Sequence, residues 1–258
     1  MHKNITITSL IWICYLKLNV FIKFENYYHK YRLHTRKGMT AMQIDEKMIA
    51  EIVKSVIASE EMVSDPGNRP VPIGVSNRHV HVTQEDLEIL FGKGAKLTVK
   101  KELMGDDFAS NELVTIIGPS LRPIENVRIL GPVRKHTQVE ISRTDTFVLK
   151  VKPPVRPSGD VAGSASITIV GPKGVVTIPE GCIIANRHIH MTPQDAAGYG
   201  LKDGDYVDVE VGGIRKTKFY DVQIRVNEKF RLEMHIDTDD ANACGVKCND
   251  LVTIVKKD

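Results

Sequence analysis

A chain of 258 residues with 42% hydrophobic content can bury one large core or two small ones. The formal net charge is only +3, and much of the basic excess lies within the first 38 residues, so a nucleic-acid partner is not expected. The four cysteines (Cys14, Cys182, Cys244 and Cys248) lack C-x-x-C spacing, which excludes a secreted disulfide scaffold and suits a reducing, cytoplasmic setting.

In chain order, Ile5 to Ile22 is an apolar run that Lys17 interrupts. It is a poor membrane span and lacks the small-residue cleavage site of a signal peptide, so no membrane partner is expected. Basic, aromatic sequence follows, then Met39 and Met42, and residues 1–38 read as an extension upstream of the true start. From Gln43 to Ala58, the apolar residues Ile44, Met48, Ile49, Ile52, Val53, Val56 and Ile57 fall on one face of a helix. The helix and the start of its linker span 42–63, and Asp65 to Pro70 completes the tether.

An internal repeat dominates the remainder. Ser76-Asn77-Arg78-His79-Val80-His81-Val82-Thr83-Gln84-Glu85-Asp86 matches Ala185-Asn186-Arg187-His188-Ile189-His190-Met191-Thr192-Pro193-Gln194-Asp195, with six of eleven positions identical at an offset of 109. The repeat predicts two related halves, 70–152 and 158–258, divided at the proline-rich stretch Lys152 to Pro157. Thr83-x-x-Asp86 and Thr192-Pro193-x-Asp195 resemble capping boxes, so each motif is an extended segment feeding a short helix. Short Val/Ile/Thr-rich runs follow (Lys96 to Val99, Leu113 to Ile117, Val127 to Ile129, Tyr206 to Val211, Asp221 to Val226), separated by glycine turns. This predicts a mainly β protein with a small barrel in each half.

Side chains at i and i+2 of an extended segment share a face. His79 therefore lies beside His81, and His188 beside His190, while Arg78 and Arg187 point the other way, where structural salt bridges are expected. Two imidazoles so placed can grip one metal ion. A second match, Val139 to Asp145 against Met234 to Asp239 with one gap, aligns Glu140 with His235 as a third ligand in each half. Five histidines and one carboxylate suit two zinc-like ions, although cobalt, manganese or iron accept similar ligands. The basic stretch Lys100, Lys101, Arg122, Arg128, Arg134 and Lys135 suits an oxyanion, with Arg134 favoured as the phosphate-binding group.

Several segments resemble the PduL-type phosphate propanoyltransferases over about residues 42 to 258. These are S-N-R-H-V-H at 76–81, G-P-V-R-K-H-T-Q-V-E-I-S at 131–142, R-P-S-G-D-x-A-G-S at 156–164, A-N-R-H-I-H at 185–190 and E-M-H-I-D at 233–237. The resemblance implies two related β-barrel domains with an active site between them. It also implies two metal ions, usually zinc, on His79, His81, Glu140, His188, His190 and His235, with phosphate on Arg134. Coenzyme A contacts carry over to Ser76, Asn77, Lys101, Arg128 and Asn242. It further implies location inside a bacterial microcompartment, as in propanediol degradation, with the N-terminal helix addressing shell or core proteins; a homodimer is compatible with it. The rivals that the residues alone leave open are a dinuclear metallohydrolase of thioesters or phosphoesters and a non-catalytic metal-binding scaffold.

Overall fold

The computed structural model describes residues 69–255, so the expected N-terminal extension and amphipathic helix lie outside the described residues. The described residues open with β1 (Val71–Ser76), β2 (His79–His81), α1 (Gln84–Phe91), β3 (Val99–Glu102), β4 (Phe108–Ile117) and β5 (Pro123–Gly131). They continue through β6 (Gln138–Glu140), α2 (Arg143–Leu149), β7 (Val155–Arg156), β8 (Ala165–Val170) and β9 (Val175–Ala185). They end with β10 (His188–Met191), α3 (Pro193–Tyr199), β11 (Tyr206–Val211), β12 (Thr217–Val226), β13 (Glu233–Asp237), α4 (Thr238–Cys244) and β14 (Leu251–Val255). No helix among the described residues is long and apolar enough to cross a membrane.

The strands form two closed barrels of six, as the mainly β reading predicts. One ring runs β4-β5-β2-β6-β9-β8 and back to β4, with β3 and β7 added at β4 and β9. The other runs β1-β13-β10-β12-β11-β14 and closes on β1. Each ring wraps its own core. Val80, Ile116, Ile129, Val139, Ile167, Ile169 and Cys182 fill the first, and Val71, Ile73, Ile189, Val209, Ile224, Met234 and Ile236 fill the second. Alternation along the strands explains the division, as in β8, where Ile167 and Ile169 point inward between Ser166 and Thr168. Where β4 meets β5, Gly131 is required by a close approach, since a Cβ there would lie 2.2 Å from the Phe108 ring.

The pairing departs from the expected halves 70–152 and 158–258. β1 lies parallel to β13 (Gly74 opposite His235, Ser76 opposite Asp237) and so belongs to the second barrel. In return, β9 lies parallel to β6, with Glu140 opposite Ile183, and closes the first barrel. These two strands are repeat equivalents, because Gly74 and Ile183 stand at the same offset of 109. The proline-rich stretch is no free divider either, because Val155 and Arg156 pair with Ile184 and Ala185. The physical reason is the exchange itself: each barrel is closed by the strand that precedes the other copy's H-x-H motif. The chain therefore passes from one barrel to the other at Asn77-Arg78 and again at Asn186-Arg187.

Short helices follow each motif. Thr192 and Asp195 form a reciprocal capping box with Pro193 in the first turn. Thr83 also caps its helix, but the Asp86 carboxylate accepts from Thr137 Oγ1, and that hydroxyl in turn accepts from Thr83 N. The second repeated segment needs no gap, because Ser142 and Asp237 are equivalent N-caps of α2 and α4. If the exchange holds the barrels closed, residues 69–152 and 158–258 produced separately should each fail to give a cooperative thermal transition. Mixed during refolding, they should recover one, which differential scanning calorimetry would show.

Candidate active site

On β2 and β10, Val80 and Ile189 point into the barrel cores, so parity turns the four histidines to the opposite face. The ring centroids of His79 and His81 lie 5.0 Å apart, and those of His188 and His190 lie 4.6 Å apart. The third predicted donors come from the antiparallel neighbours, with Glu140 opposite His79 and His235 opposite His188. Two triads result: His79, His81 and Glu140, and His188, His190 and His235, each with ligand atoms within 4.8 Å of one another.

Backbone carbonyls fix the rings. His79 Nδ1 donates to Asn77 O (2.9 Å) and His188 Nδ1 to Asn186 O (2.8 Å), which leaves the lone pair on Nε2 in both. His81 Nδ1 faces Leu130 O at 3.2 Å. His190 stacks on Phe230 at 4.1 Å, and both of its ring nitrogens are buried without a hydrogen-bond partner. Leaving such a polar atom unpaired is costly, and a metal bond at one nitrogen removes that cost. The donor set, mostly imidazole with one carboxylate, therefore fits a divalent ion of the zinc type.

The electrostatics favour the ligand forms of His81, His188, His190 and Glu140. Burial lowers the pKa of His81 to about 3, aided by His79 and Arg134. Burial lowers that of His188 to about 4, aided by His235, and that of His190 to about 2, aided by His188 and His235. His79 differs: burial disfavours its charged form, but Glu140 beside it (3.4 Å) prevails and raises its pKa. Burial also opposes the charge on Glu140, yet the neighbouring histidines hold its carboxyl well below the usual range. Glu140 is near enough to favour the charged forms of His188 and Arg225.

Arg78 and Arg187 make the expected structural ion pairs. Arg78 grips Asp145 of α2 (2.8 and 2.9 Å), and Arg187 grips the equivalent Asp240 of α4 (2.8 and 2.9 Å). Each pins a barrel-to-barrel crossing to the helix below it. Arg134 donates to Asp107 (3.1 Å) and reaches Ser158 (3.4 Å), with its charge acting on His79 and His81.

Among the residues expected to contact coenzyme A, Ser76 and Asn77 lie at the first crossing, and Arg128 pairs with His79 along β5. The Arg128 guanidinium is engaged with Ser110 O. Lys101 is exposed on β3, and Asn242 is exposed on α4, which packs against β1 and β13.

Sequence reasoning missed three residues. Arg225, opposite His190 on β12, stands toward the second triad as Arg134 does toward the first, and depresses His188 and His190. Its signal was the alternation Val222-Gln223-Ile224-Arg225, which sets Gln223 and Arg225 on the histidine face. Gln138 and Ser158, joined at 3.0 Å, lie against Glu140, and Ser158 is part of the R-P-S-G-D segment.

Two His/Glu groups that could each hold a metal ion thus stand near guanidinium groups in a protein of two strand-exchanged barrels. The sequence matches the phosphate propanoyltransferase family over residues 72–247. It is 56% identical over 209 residues to a phosphate propanoyltransferase of Lachnoclostridium phytofermentans, covering 81% of this chain and 97% of the relative. A Thermotoga maritima phosphate propanoyltransferase is 57% identical over 194 residues (74% of this chain, 90% of the relative). One from Rhodobacter capsulatus is 46% identical over 213 residues (82% and 98%). The chain belongs to the phosphate propanoyltransferase family of acyltransferases.

Cys182 is no nucleophile, because burial, with Asp145 nearby, pushes its thiol up to about 12. Cys182→Ala is expected to cost about 1 kcal/mol in stability by opening a small cavity. Its turnover should stay within about twofold of wild type, measured by thiol release beside a thermal melt.

Proposed function

We propose that this chain interconverts acyl-CoA plus phosphate with acyl phosphate plus CoA, with propanoyl as the acyl group. The site is a dinuclear centre in which His79, His81 and Glu140 hold one divalent ion and His188, His190 and His235 hold the other. Family membership together with the two triads, the first with Arg134 near it, carries the reading. Zinc is the proposed metal, because neutral imidazoles and one carboxylate match its preferences.

When bound, the ions supply Lewis acidity, neutralising phosphate and the oxyanion that develops at the thioester carbon. The chain's own groups supply position. Arg134, steadied by Asp107 and Ser158, offers guanidinium N–H donors to phosphate oxygens, and Arg225 adds positive potential beside the other triad. Holding phosphate against an incoming CoA anion replaces its hydration with fixed donors and aims one oxygen at the carbonyl. Ser76, Asn77, Lys101, Arg128 and Asn242 are the proposed coenzyme A contacts. Acyl transfer is direct, with no covalent enzyme intermediate.

The deciding measurement is thiol release from propanoyl-CoA, with and without phosphate, before and after chelation. Release requiring both phosphate and metal, with acyl phosphate formed, supports the reading. Release without phosphate replaces it with a hydrolase, and no release from metal-loaded protein favours a scaffold. His188→Ala should lose metal and activity together. Arg134→Ala should keep its metal while the KM for phosphate rises about 10- to 100-fold, the worth of one or two charge-assisted hydrogen bonds.

For location, the proposal is a cytoplasmic protein housed in a bacterial microcompartment, addressed by the amphipathic segment at 43–58. Removing residues 1–63 should then leave kcat/KM unchanged while abolishing co-purification with shell or core proteins. Loss of catalysis on truncation would reject a purely addressing role.

A further inference from the structure

We infer that Gln138 and Glu233 are positioning residues, each matched in hydrogen-bond polarity to the third donor of its triad. The inference rests on the metal-binding reading above. Both residues stand two places before that donor, Gln138 before Glu140 on β6 and Glu233 before His235 on β13, at a common offset of 95. Along β13, Met234 enters the core, so parity puts Glu233 on the same face as His235.

The contacts differ in sense. Gln138 Nε2 donates to Glu140 Oε1 (2.6 Å) and Ser158 Oγ (3.0 Å), and Gln138 Oε1 accepts from Gly159 N (2.8 Å). Because Gly159 N–H can only donate, the amide cannot flip, and its NH₂ is committed to the carboxylate. Glu233 Oε2 instead accepts from His235 Nε2 (3.2 Å) and from Arg231 (3.3 Å). An imidazole that donates from Nε2 keeps its lone pair on Nδ1, so Glu233 sets the tautomer of His235. The His235 ring lies 5.2 and 4.6 Å, between centroids, from those of His188 and His190.

One pair is amide then carboxylate, the other carboxylate then imidazole. Each holds a single carboxylate, and each places a donor against an acceptor. Changing one member weakens the pair, or sets carboxylate against carboxylate, whereas changing both restores a donor against an acceptor. Gly74 accommodates the second pair: a Cβ there would lie 3.1 Å from the Glu233 carboxyl carbon and 3.2 Å from His235 Cδ2, so the β1 backbone packs directly on it.

The test uses the full chain, with Co²⁺ as probe, reading affinity by chelator competition and ligand geometry by the visible absorption spectrum. Glu233→Gln should weaken one of the two binding steps about 10-fold and alter the cobalt spectrum, because a neutral amide oxygen accepts more weakly from the His235 N–H than the carboxylate it replaces. His235→Glu should weaken the same step. The double variant Glu233→Gln/His235→Glu, which recreates the amide–carboxylate pair, should bind at least tenfold more tightly than the product of the single losses predicts. If Glu233→Gln does not fold, Gln138→Glu and Gln138→Glu/Glu140→His apply the same cycle to the other triad. Unchanged affinity and spectrum in the single variant, or strictly additive losses in the double, would overturn the inference and leave the metal reading standing. Wild-type protein that takes up no cobalt would overturn both.

Discussion

The rest of the structure depends on one constraint: neither barrel closes without a strand from the other copy of the repeat. β1 completes the ring that holds His188, His190 and His235, and β9 completes the ring that holds His79, His81 and Glu140. The chain must therefore cross between rings just before each H-x-H motif, and the histidines emerge where the rings adjoin. Their side chains face away from the core of their own barrel, yet His81 and His190 are buried. Bidentate pairs from Arg78 and Arg187 to the first turns of α2 and α4 pin the two crossings, so the placement of the triads follows from backbone topology and two ion pairs.

The triads are related but unequal. The first carries a carboxylate and the second is wholly imidazole, so an ion of given charge would be neutralised by one unit more at the first. The difference extends outward. Glu140 lifts His79 above its ordinary pKa, whereas His188 is pushed down by burial and His235, and His190 by burial, His188 and His235. A duplicated frame has thus kept its geometry while its two copies took on different electrostatics, as suits a reaction with two unlike partners.

Much of this was legible in the sequence, for identifiable reasons. The period of two along an extended segment placed each histidine pair on one face and each arginine on the other. Capping residues at Thr83 and Thr192 located the helix starts. The alignment of Glu140 with His235 picked the side chains that group with the two histidine pairs, although it assumed a gap that the N-caps Ser142 and Asp237 show to be unnecessary. Strand ownership was not legible. A repeat reveals which segments are equivalent but not which barrel each joins, and Lys152 to Pro157 read as a divider although it contributes a strand. Gln138 and Arg225 were missed for a related reason, since their roles come from neighbours on other strands.

The exchange also bears on how the protein is made. β1 leaves the ribosome among the first described segments, yet its partners are Met234 to Asp237 on one side and Leu251 and Val252 on the other. A nascent chain must carry that apolar strand with one edge unmatched until Asp237 has been added and the other until Val252. Contacts so distant in sequence slow folding and leave a strand open to wrong pairing meanwhile. Vectorial synthesis can close the first barrel once Ala185 has emerged, but the second waits to be sealed by the first and the last of the described strands together.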